Sequence, residues 1–296
     1  MLPPGGWTVA HCVVPEAEAI LDREFPVLDK GFVRLVDYLG GDQRIVQSAR
    51  VSYGEGTKSY RKDAALIAYL LRNEHTSPFE QVVLTFHTKM PVFVARQWVR
   101  HRTARLNEIS GRYSILKSEF YVPDVGDVCA QSTDNKQGRS EEPLAPEAAH
   151  RVRAALEEEQ GHAYGRYESM LEEGVARELA RINLPLSVYT EWYWQIDLHN
   201  LFHFLKLRMD DHAQREIRAY AETMFEITKK VAPAACGAFE EHRLGAVSFG
   251  ATELDALATL LPEVDSLDRE EIGRRTNLSG RALDRFVTKL TARRQT

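Results

Sequence analysis

The chain has 296 residues, of which 44% are hydrophobic and 27% are charged, and its formal net charge is -5. These proportions are those of ordinary folded domains, and the length allows one large core or two small ones. The mild negative charge argues against a protein that coats nucleic acid through its overall charge, although arginines can still gather at one site.

The cysteines and the hydropathy pattern bear on the cellular setting. Cys12, Cys129 and Cys236 are far apart and form no CxxC pair, so neither a disulfide framework nor a zinc site is predicted. This usage favours a reducing, cytoplasmic location. Residues 1–20 lack the basic and apolar regions of a signal peptide, and no apolar run approaches the ~18 residues of a membrane span.

Three segments are predicted along the chain: an N-terminal extension (1–27), a central domain (28–244) and a C-terminal helical extension (245–296). The first could be an ordered arm, a β-hairpin or a frayed tail. The central domain is expected to begin with a helix over Gly31–Leu39, based on four apolar residues at helical spacing: Phe32, Leu35, Val36 and Leu39.

The next elements follow from periodicity and from the helix-start residues. A helix is predicted over Asp42–Ala49, then a loop over 52–63 and a helix from Asp63. Alternating β-branched and aromatic residues predict a strand over 81–88. Pro91 suits the first position of a helix that continues to Arg102. A further strand is suggested over 119–122.

The second half of the chain is predicted to be mostly helical. Residues 126–146 are polar and predict a mobile surface loop. Pro146 is expected to begin a long helix to about Glu173, followed by a short helix over 175–182. Residues 187–198 have a strand-like pattern, and residues 199–230 a helical one. Short helices are expected over 253–261 and 268–291.

Five arginines and no lysine lie between positions 96 and 112: Arg96, Arg100, Arg102, Arg105 and Arg112. Guanidinium groups bind phosphate and uracil-like oxygens through paired hydrogen bonds, so the cluster favours an anion site. A solvated basic face or an RNA-binding stripe is the alternative. Because the helix is largely apolar, we expect its arginines to be partly buried and paired. The polar residues that follow suit a nucleotide: Asn107, Glu108, Ser110 and Gly111.

The segment RHRTARLNEISGRY (100–113) resembles the signature of the flavin-dependent thymidylate synthases, RHR followed by seven residues and a serine. A longer form of that signature often has another serine where this chain has Arg105. Other segments agree in order and spacing: HTSPFEQ (75–81), ARQWVRHR (95–102), ARINLPLSVYT (180–190) and LHNLFHFLKLRMDDHAQREIR (198–218). The resemblance covers about residues 28–240.

The resemblance implies an α+β fold, with a mixed or antiparallel sheet flanked by helices, in a homotetramer whose sites form between subunits. It implies that deoxyuridine monophosphate (dUMP) contacts Gln97, Arg100, Glu108, Ser110, Gly111, Arg112, Arg181 and Arg208. It also implies that FAD contacts His75, Ser77, Glu80, Arg100, His101, Arg102, Asn107, Glu108, Asp197, His199, His203 and His212. Some relatives have Asn or Arg where this chain has Asp197, His199 and His203.

The implied reaction converts dUMP into dTMP, with 5,10-methylenetetrahydrofolate as carbon donor and NADPH as reductant of the flavin. A cysteine thiolate could activate the uracil ring, but no cysteine adjoins the arginine motif. An arginine beside N3 and O2 would instead stabilise negative charge on the ring, and the resemblance gives this catalytic role to Arg208. A plain salt bridge to Asp210 or Asp211 is the alternative for that residue. Ser110 lacks a base partner and is interpreted as a binding residue.

Two other patterns carry weaker hypotheses. His199 and His203 lie one helical turn apart, but the pattern offers no third ligand, so no metal is predicted. The sequence of residues 270–294 resembles a helix-turn-helix. The favoured interpretation is that these residues form amphipathic helices packed on the subunit. The expected partners are therefore small-molecule substrates, with no membrane and no nucleic acid. A nucleic-acid-binding protein is the alternative, and a yellow protein bleached by NADPH would argue against it.

Overall fold

The computed structural model describes residues 12–51, 60–133, 136–260 and 268–292. Residues 1–11 of the N-terminal extension and residues 52–59 of the predicted loop lie outside this description. The chain divides into two compact units, Met1–Leu244 and Gly245–Thr296. Among the helices that the structure describes, none is long and apolar enough to cross a membrane.

The larger unit contains a five-stranded antiparallel sheet and a separate hairpin. The strands, in chain order, are β1 (Glu24–Val27), β2 (Gly31–Leu39), β3 (Val83–Pro91), β4 (Arg105–Glu108), β5 (Cys129–Gln131), β6 (Arg139–Pro143) and β7 (Tyr189–Asp197). The sheet has the order β1-β2-β3-β7-β4, while β5 and β6 pair with each other. Helices flank this sheet, so the predicted α+β class is confirmed.

The described helices of the larger unit are α1 (Pro15–Glu18), α2 (Asp42–Ala49), α3 (Tyr60–Arg72), α4 (Val92–Trp98), α5 (Pro146–Glu172), α6 (Arg177–Ala180), α7 (Leu198–Arg208), α8 (Arg215–Val231) and α9 (Pro233–Phe239). Those of the smaller unit are α10 (Ala251–Leu260), α11 (Arg269–Arg275) and α12 (Gly280–Ala292). The helix predicted from Pro146 is confirmed almost to the residue.

The core lies between one face of the sheet and the helices packed on it. Successive side chains of a strand point to opposite faces, so Phe86 and Trp194, which pair across β3 and β7, both enter the core. Their neighbours His87 and Tyr193 stack on the other face, with ring centroids 4.8 Å apart. Helix α8 covers the core with apolar residues three or four positions apart: Ile217, Tyr220, Ala221, Met224 and Phe225.

The predicted helix over Gly31–Leu39 is wrong, because these residues form β2. Burial alternates along the strand as far as Leu35, as expected when one face of a sheet covers the core. The pairing register then shifts between Leu35 and Asp37, which makes Val36 an extra residue and returns Tyr38 to the buried side. Of the four residues whose spacing suggested a helix, only Leu35 is buried and Leu39 is exposed, so their helical spacing did not mark the face that the strand turns to the core.

Three other boundaries also differ from prediction. The polar segment over 126–146 contains the β5–β6 hairpin, whose mostly exposed strands show no apolar alternation that a sequence pattern could reveal. The strand suggested over 119–122 is reduced to one bridge between Phe120 and Val188. The helix predicted to reach Arg102 ends at Trp98, a few residues before β4 begins.

An aromatic cluster around Trp98 joins α4 to the sheet and to α7. The Trp98 side chain is fully buried and its ring stacks on Phe204 at 5.0 Å between centroids. Trp192 and Trp194 of β7 meet it edge-on at 5.5 Å and 5.4 Å. These contacts fix the C-terminal end of α4 against the second half of α7.

The cluster predicts a large stability cost for Trp98→Ala. Removing a fully buried indole loses its transfer free energy and leaves a cavity, so we expect the free energy of unfolding to fall by about 3–5 kcal/mol. Urea unfolding followed by circular dichroism measures this change. The matched control is Val99→Ala, since the neighbouring Val99 side chain is exposed. If Trp98→Ala and Val99→Ala lowered the free energy of unfolding equally, the stabilising role of the buried Trp98 ring would be contradicted.

Candidate functional site

Arg208, the last residue of α7, is the centre of a polar group beside the Trp98 cluster. Its Nε–H donates to Nε2 of His101 at 3.0 Å, and its Nη2 donates to the backbone carbonyl of Gln97 at 3.4 Å. The guanidinium is half-buried, and this burial lowers the pKa of Arg208 from its ordinary value. The two acceptors hold the cation in a defined direction.

His101 accepts the hydrogen bond from Arg208 as a neutral imidazole. Arginine can only donate, so Nε2 is the unprotonated nitrogen and the proton lies on Nδ1. Burial, followed by the charges of Arg208 and His203, lowers the pKa of His101 to about 4. The ring also packs edge-on against Phe204 at 4.9 Å. His101 can therefore orient Arg208 at neutral pH without adding a second positive charge.

The salt bridge considered for Arg208 is not formed. Asp210 instead accepts hydrogen bonds from the backbone N–H and the ring of His212, at 2.9 Å and 2.8 Å. Asp211 pairs with Arg218 at 2.7 Å. Because both neighbouring carboxylates are engaged elsewhere, the positive charge of Arg208 is not neutralised by them.

Gln214 joins this polar group, although it was not among the predicted site residues. Its Oε1 accepts a hydrogen bond from the side-chain amide of Gln97, and it is the N-cap residue of α8. The contact links α4 to α8 beside Arg208. Gln214 lies two residues after His212, inside a segment that carries the family resemblance, and this position is the signal that could have revealed it.

Ser110, Gly111 and Arg112 form a turn after β4, and Arg181 lies against it. Ser110 Oγ accepts a hydrogen bond from the N–H of Arg112 at 3.3 Å. A Cβ atom at the buried Gly111 would stand 3.1 Å from Cδ and 3.3 Å from Nη1 of Arg181. Arg112 forms an exposed ion pair with Glu178 of α6 at 3.1 Å. Four of the predicted dUMP residues are thus brought together.

A cavity of about 550 Å³ opens beside this turn. Its charged lining comes from Arg112, Arg177 and Glu178, and its apolar lining includes Ile115 and Leu171. Its volume lies within the range of small-molecule sites, and its lining combines charged and apolar side chains. The cavity therefore extends the region in which an anionic ring compound could bind.

Five predicted flavin residues lie on two neighbouring elements. His75, Ser77 and Glu80 are exposed on the turn that precedes β3, and His199 and His203 belong to α7. The two elements are joined in the core, where Phe79 of the turn contacts Phe202 of α7 at 6.4 Å between ring centroids. His203 is exposed and approaches the His101 ring at 6.0 Å, so this group adjoins the Arg208 group.

The motif arginines were expected to be partly buried and paired, but among the described residues they are exposed and mostly unpaired. All five are exposed, and within the described part of the chain only Arg112 has a carboxylate partner. The helix ends at Trp98, so Arg100 lies beyond it rather than one turn along the face of Arg96. The apolar residues that suggested burial, such as Val94, face the sheet instead.

The remaining predicted residues differ in whether their side chains already make hydrogen bonds within the chain. Glu108 accepts a hydrogen bond from Thr190 at 2.6 Å, while Asn107 is exposed at the edge of the sheet. Asp197 caps α7, because its carboxylate accepts from both the backbone and the side-chain amide of Asn200. Asp197 is therefore less available to a ligand than the sequence suggested.

Two groups of predicted residues remain separate within one chain. The first surrounds Arg208 at the ends of α4 and α7, and the second surrounds the Ser110 turn beside α6. Among the described residues, no hydrogen bond or ion pair joins one group to the other.

Comparison with known proteins identifies the chemistry that such a site serves. Residues 34–234 match the family model described as thymidylate synthase complementing protein. The flavin-dependent thymidylate synthase of Treponema denticola is 63% identical over 275 residues, which cover 93% of this chain and 100% of that protein. The chain belongs to the flavin-dependent thymidylate synthase family. A Thermus thermophilus member is 61% identical over 240 residues, covering 81% of this chain and 87% of that protein.

A solved structure outside these relatives shares the fold of this thymidylate synthase family member. It is the UMP/dUMP methylase PolB from Streptomyces cacaoi bound with 5-Br dUMP, at 31% identity and a TM-score of 0.68. The match covers 74% of this chain and 99% of PolB. The family model ends at residue 234, so the smaller unit of this flavin-dependent thymidylate synthase lies beyond it.

His101 should make the stability of this thymidylate synthase depend on pH. Its folded pKa of about 4 is below the ordinary 6.5, so only the unfolded chain binds a proton there between these values. The contribution to stability is complete above pH 6.5 and is lost as the pH falls towards 4. We expect His101→Gln to flatten the fall in the urea midpoint between pH 7 and pH 5.

The control for this measurement is His150→Gln, which changes an exposed histidine of α5 and should leave the slope as it is. An NMR titration of His101 provides the direct check. A midpoint near the ordinary histidine value, rather than near 4, would show that the folded site does not exclude the protonated ring.

Proposed function

We propose that the chain converts dUMP into dTMP, with 5,10-methylenetetrahydrofolate as carbon donor, NADPH as reductant and FAD as cofactor. The proposal rests on one observation in the site. The Arg208 guanidinium is half-buried and is oriented by His101 and by the carbonyl of Gln97. A preorganised cation stabilises the negative charge that develops on uracil during C5 substitution, and such electrostatic stabilisation is often the largest catalytic term.

The role of Arg208 in this proposal is electrostatic. Arginine remains protonated near neutral pH, so it cannot act as the general base. Nε and Nη2 are engaged, whereas Nη1 donates to no acceptor among the described residues and is left for an oxygen of the uracil ring. When FAD is bound, its reduced form supplies the hydride for the transferred carbon.

A cysteine nucleophile is the competing chemistry, and the three thiols do not support it. Cys236 is buried, and burial raises the pKa of its thiol well above the ordinary value. The thiols of Cys12 and Cys129 contact Gln43 and Gly126, which are not among the predicted dUMP residues. Charge stabilisation by Arg208 therefore explains the site better than thiolate attack.

The exposed donors of the motif fit a flavin dinucleotide. Arg100 and Arg102 have no carboxylate partner in the described part of the chain, so both are available to an anionic diphosphate. Asn107 offers an exposed amide beside them. The exposed histidines His75 and His203 lie near and within α7, respectively, and are also proposed to contact FAD. The other residues proposed to contact FAD are His101, Ser77, Glu80, Glu108, Asp197, His199 and His212.

The nucleotide is proposed to bind between the two residue groups. Arg112 and Arg181 are the anion-binding residues of the Ser110 turn, and Gln97 is held by Gln214 in the Arg208 group. The resemblance to the family supports a homotetramer in which different subunits complete each site, and we propose this assembly. Residues 28–244 are the proposed catalytic domain, and the free thiols agree with a cytoplasmic location.

The proposed catalytic role predicts that Arg208→Ala lowers dTMP formation by about 10²–10³-fold, the usual cost of a preorganised charge-stabilising group. Product formation is measured with and without added FAD, together with NADPH-dependent bleaching of the flavin. Lys206→Ala removes an exposed cation from the same helix and should retain activity. Turnover by Arg208→Ala equal to that of Lys206→Ala would refute the role.

The close approach of Arg181 to Gly111 predicts a binding defect in Gly111→Ala. The new Cβ would stand about 3.1–3.3 Å from Arg181, so this side chain must move away. We expect the KM for dUMP to rise by about tenfold, the worth of one charge-assisted hydrogen bond, with a smaller change in kcat. Gly126→Ala is the control, because a Cβ at that position meets no atom within 4 Å.

A further inference from the structure

The smaller unit carries a helix-turn-helix that the proposed reaction does not use, and we infer that it binds duplex DNA. This unit, Gly245–Thr296, follows the region that the family model matches. None of the residues predicted for dUMP or FAD lies in it. Its sequence was expected to pack as plain amphipathic helices, and three features of its structure favour the DNA-binding interpretation.

The first feature is the geometry of the turn between α11 and α12. Only residues 276–279 separate the two helices, which is the length of the link in helix-turn-helix motifs. Thr276 makes the turn, because its Oγ1 donates to the carbonyl of Ile272 at 2.8 Å and accepts from the N–H of Leu278 at 3.3 Å. The carbonyl of Ser279 then accepts from Leu283 in the first turn of α12.

The second feature is the close contact of the two helices. Ile272 of α11 and Leu283 of α12 are both buried, at 5% and 4% exposure, although the unit is small. A Cβ atom at Gly273 would stand 3.0 Å from Cδ2 of Leu283. The two helices therefore approach closely at Gly273, where an added Cβ would require the Leu283 side chain to shift.

The third feature is a row of cations on α12. Arg281, Arg285 and Lys289 recur every fourth residue, so they lie on one side of the helix, and we call this row the basic stripe. No carboxylate pairs with the basic stripe among the described residues.

The described cations of α11 are already paired. Arg274 and Arg275 both pair with Glu271, and Arg269 pairs with Asp284. Among the described residues, Glu271 and Asp284 thus pair with cations of α11, whereas the basic stripe has no carboxylate partner. The separation of charges favours an anionic partner along one side of α12.

The shape and charge of α12 favour duplex DNA over other anionic partners. Adjacent cations of the basic stripe are about 6 Å apart along the helix axis, which suits contacts to successive backbone phosphates. The major groove of B-DNA admits an α-helix, whereas that of A-form RNA is too narrow. A second protein copy is disfavoured because interface cores are depleted of charged residues.

The test measures binding of the full-length protein to a fluorescent random-sequence duplex of about 30 base pairs at about 50 mM salt. We expect Arg281→Ala/Arg285→Ala/Lys289→Ala to raise the Kd at least about tenfold. The slope of log K against log salt should become shallower by about 2–3, since each cation contributes nearly one released counterion. Formation of dTMP by the same preparation should match that of the unchanged protein.

The matched control removes three exposed cations of the larger unit, in the variant Lys62→Ala/Lys117→Ala/Lys230→Ala. It should bind the duplex as the unchanged protein does. The inference is overturned if the stripe variant also binds unchanged, if the unchanged protein shows no duplex binding at about 50 µM, or if single-stranded RNA binds more tightly than the duplex. Loss of dTMP formation in the stripe variant alone would instead connect the unit to catalysis.

Discussion

The burial of Trp98 is the constraint on which the polar site depends. Its ring stacks on Phe204 and meets Trp192 edge-on, so the ends of α4 and α7 are fixed relative to each other and to β7. Gln97 precedes Trp98 in sequence and His101 follows it by three residues, and both supply acceptors to Arg208 from this fixed backbone. A dispersive contact inside the core thereby determines the direction of a charged group at the surface.

The choice of acceptors around Arg208 preserves its charge. A carboxylate would hold the guanidinium more tightly, but it would also neutralise the cation before a substrate arrived. A neutral imidazole and a backbone carbonyl orient the group without that loss. The low pKa of His101 is part of the same arrangement, because a protonated ring would have no lone pair to accept the bond. Asp210 and Asp211 contact His212 and Arg218 instead of Arg208, so they also leave its charge unneutralised.

The sequence predicted elements where one period extends over many residues, and it failed where local geometry interrupts the period. The strand containing Trp194 has an uninterrupted pattern and the long helix begins at Pro146 as its start residue predicts, and both are confirmed. In β2 a bulge at Val36 interrupts the alternation, and most of the apolar residues at helical spacing are not the buried ones. The candidate site residues were predicted through the motif, but Gln214 was not among them, because its contact with Gln97 leaves no trace in residue spacing and only its place in a segment of the family resemblance points to it.

The exposure of the motif arginines has an energetic reason. A charged side chain buried without a partner would oppose folding, whereas an exposed one is solvated at little cost. The chain can therefore fold with Arg100 and Arg102 unpaired and leave their neutralisation to an anionic ligand or to a neighbouring subunit. The same reasoning applies to the basic stripe of α12, where uncompensated cations persist beside paired ones. In both places, unpaired arginine at the surface indicates where binding free energy is still available.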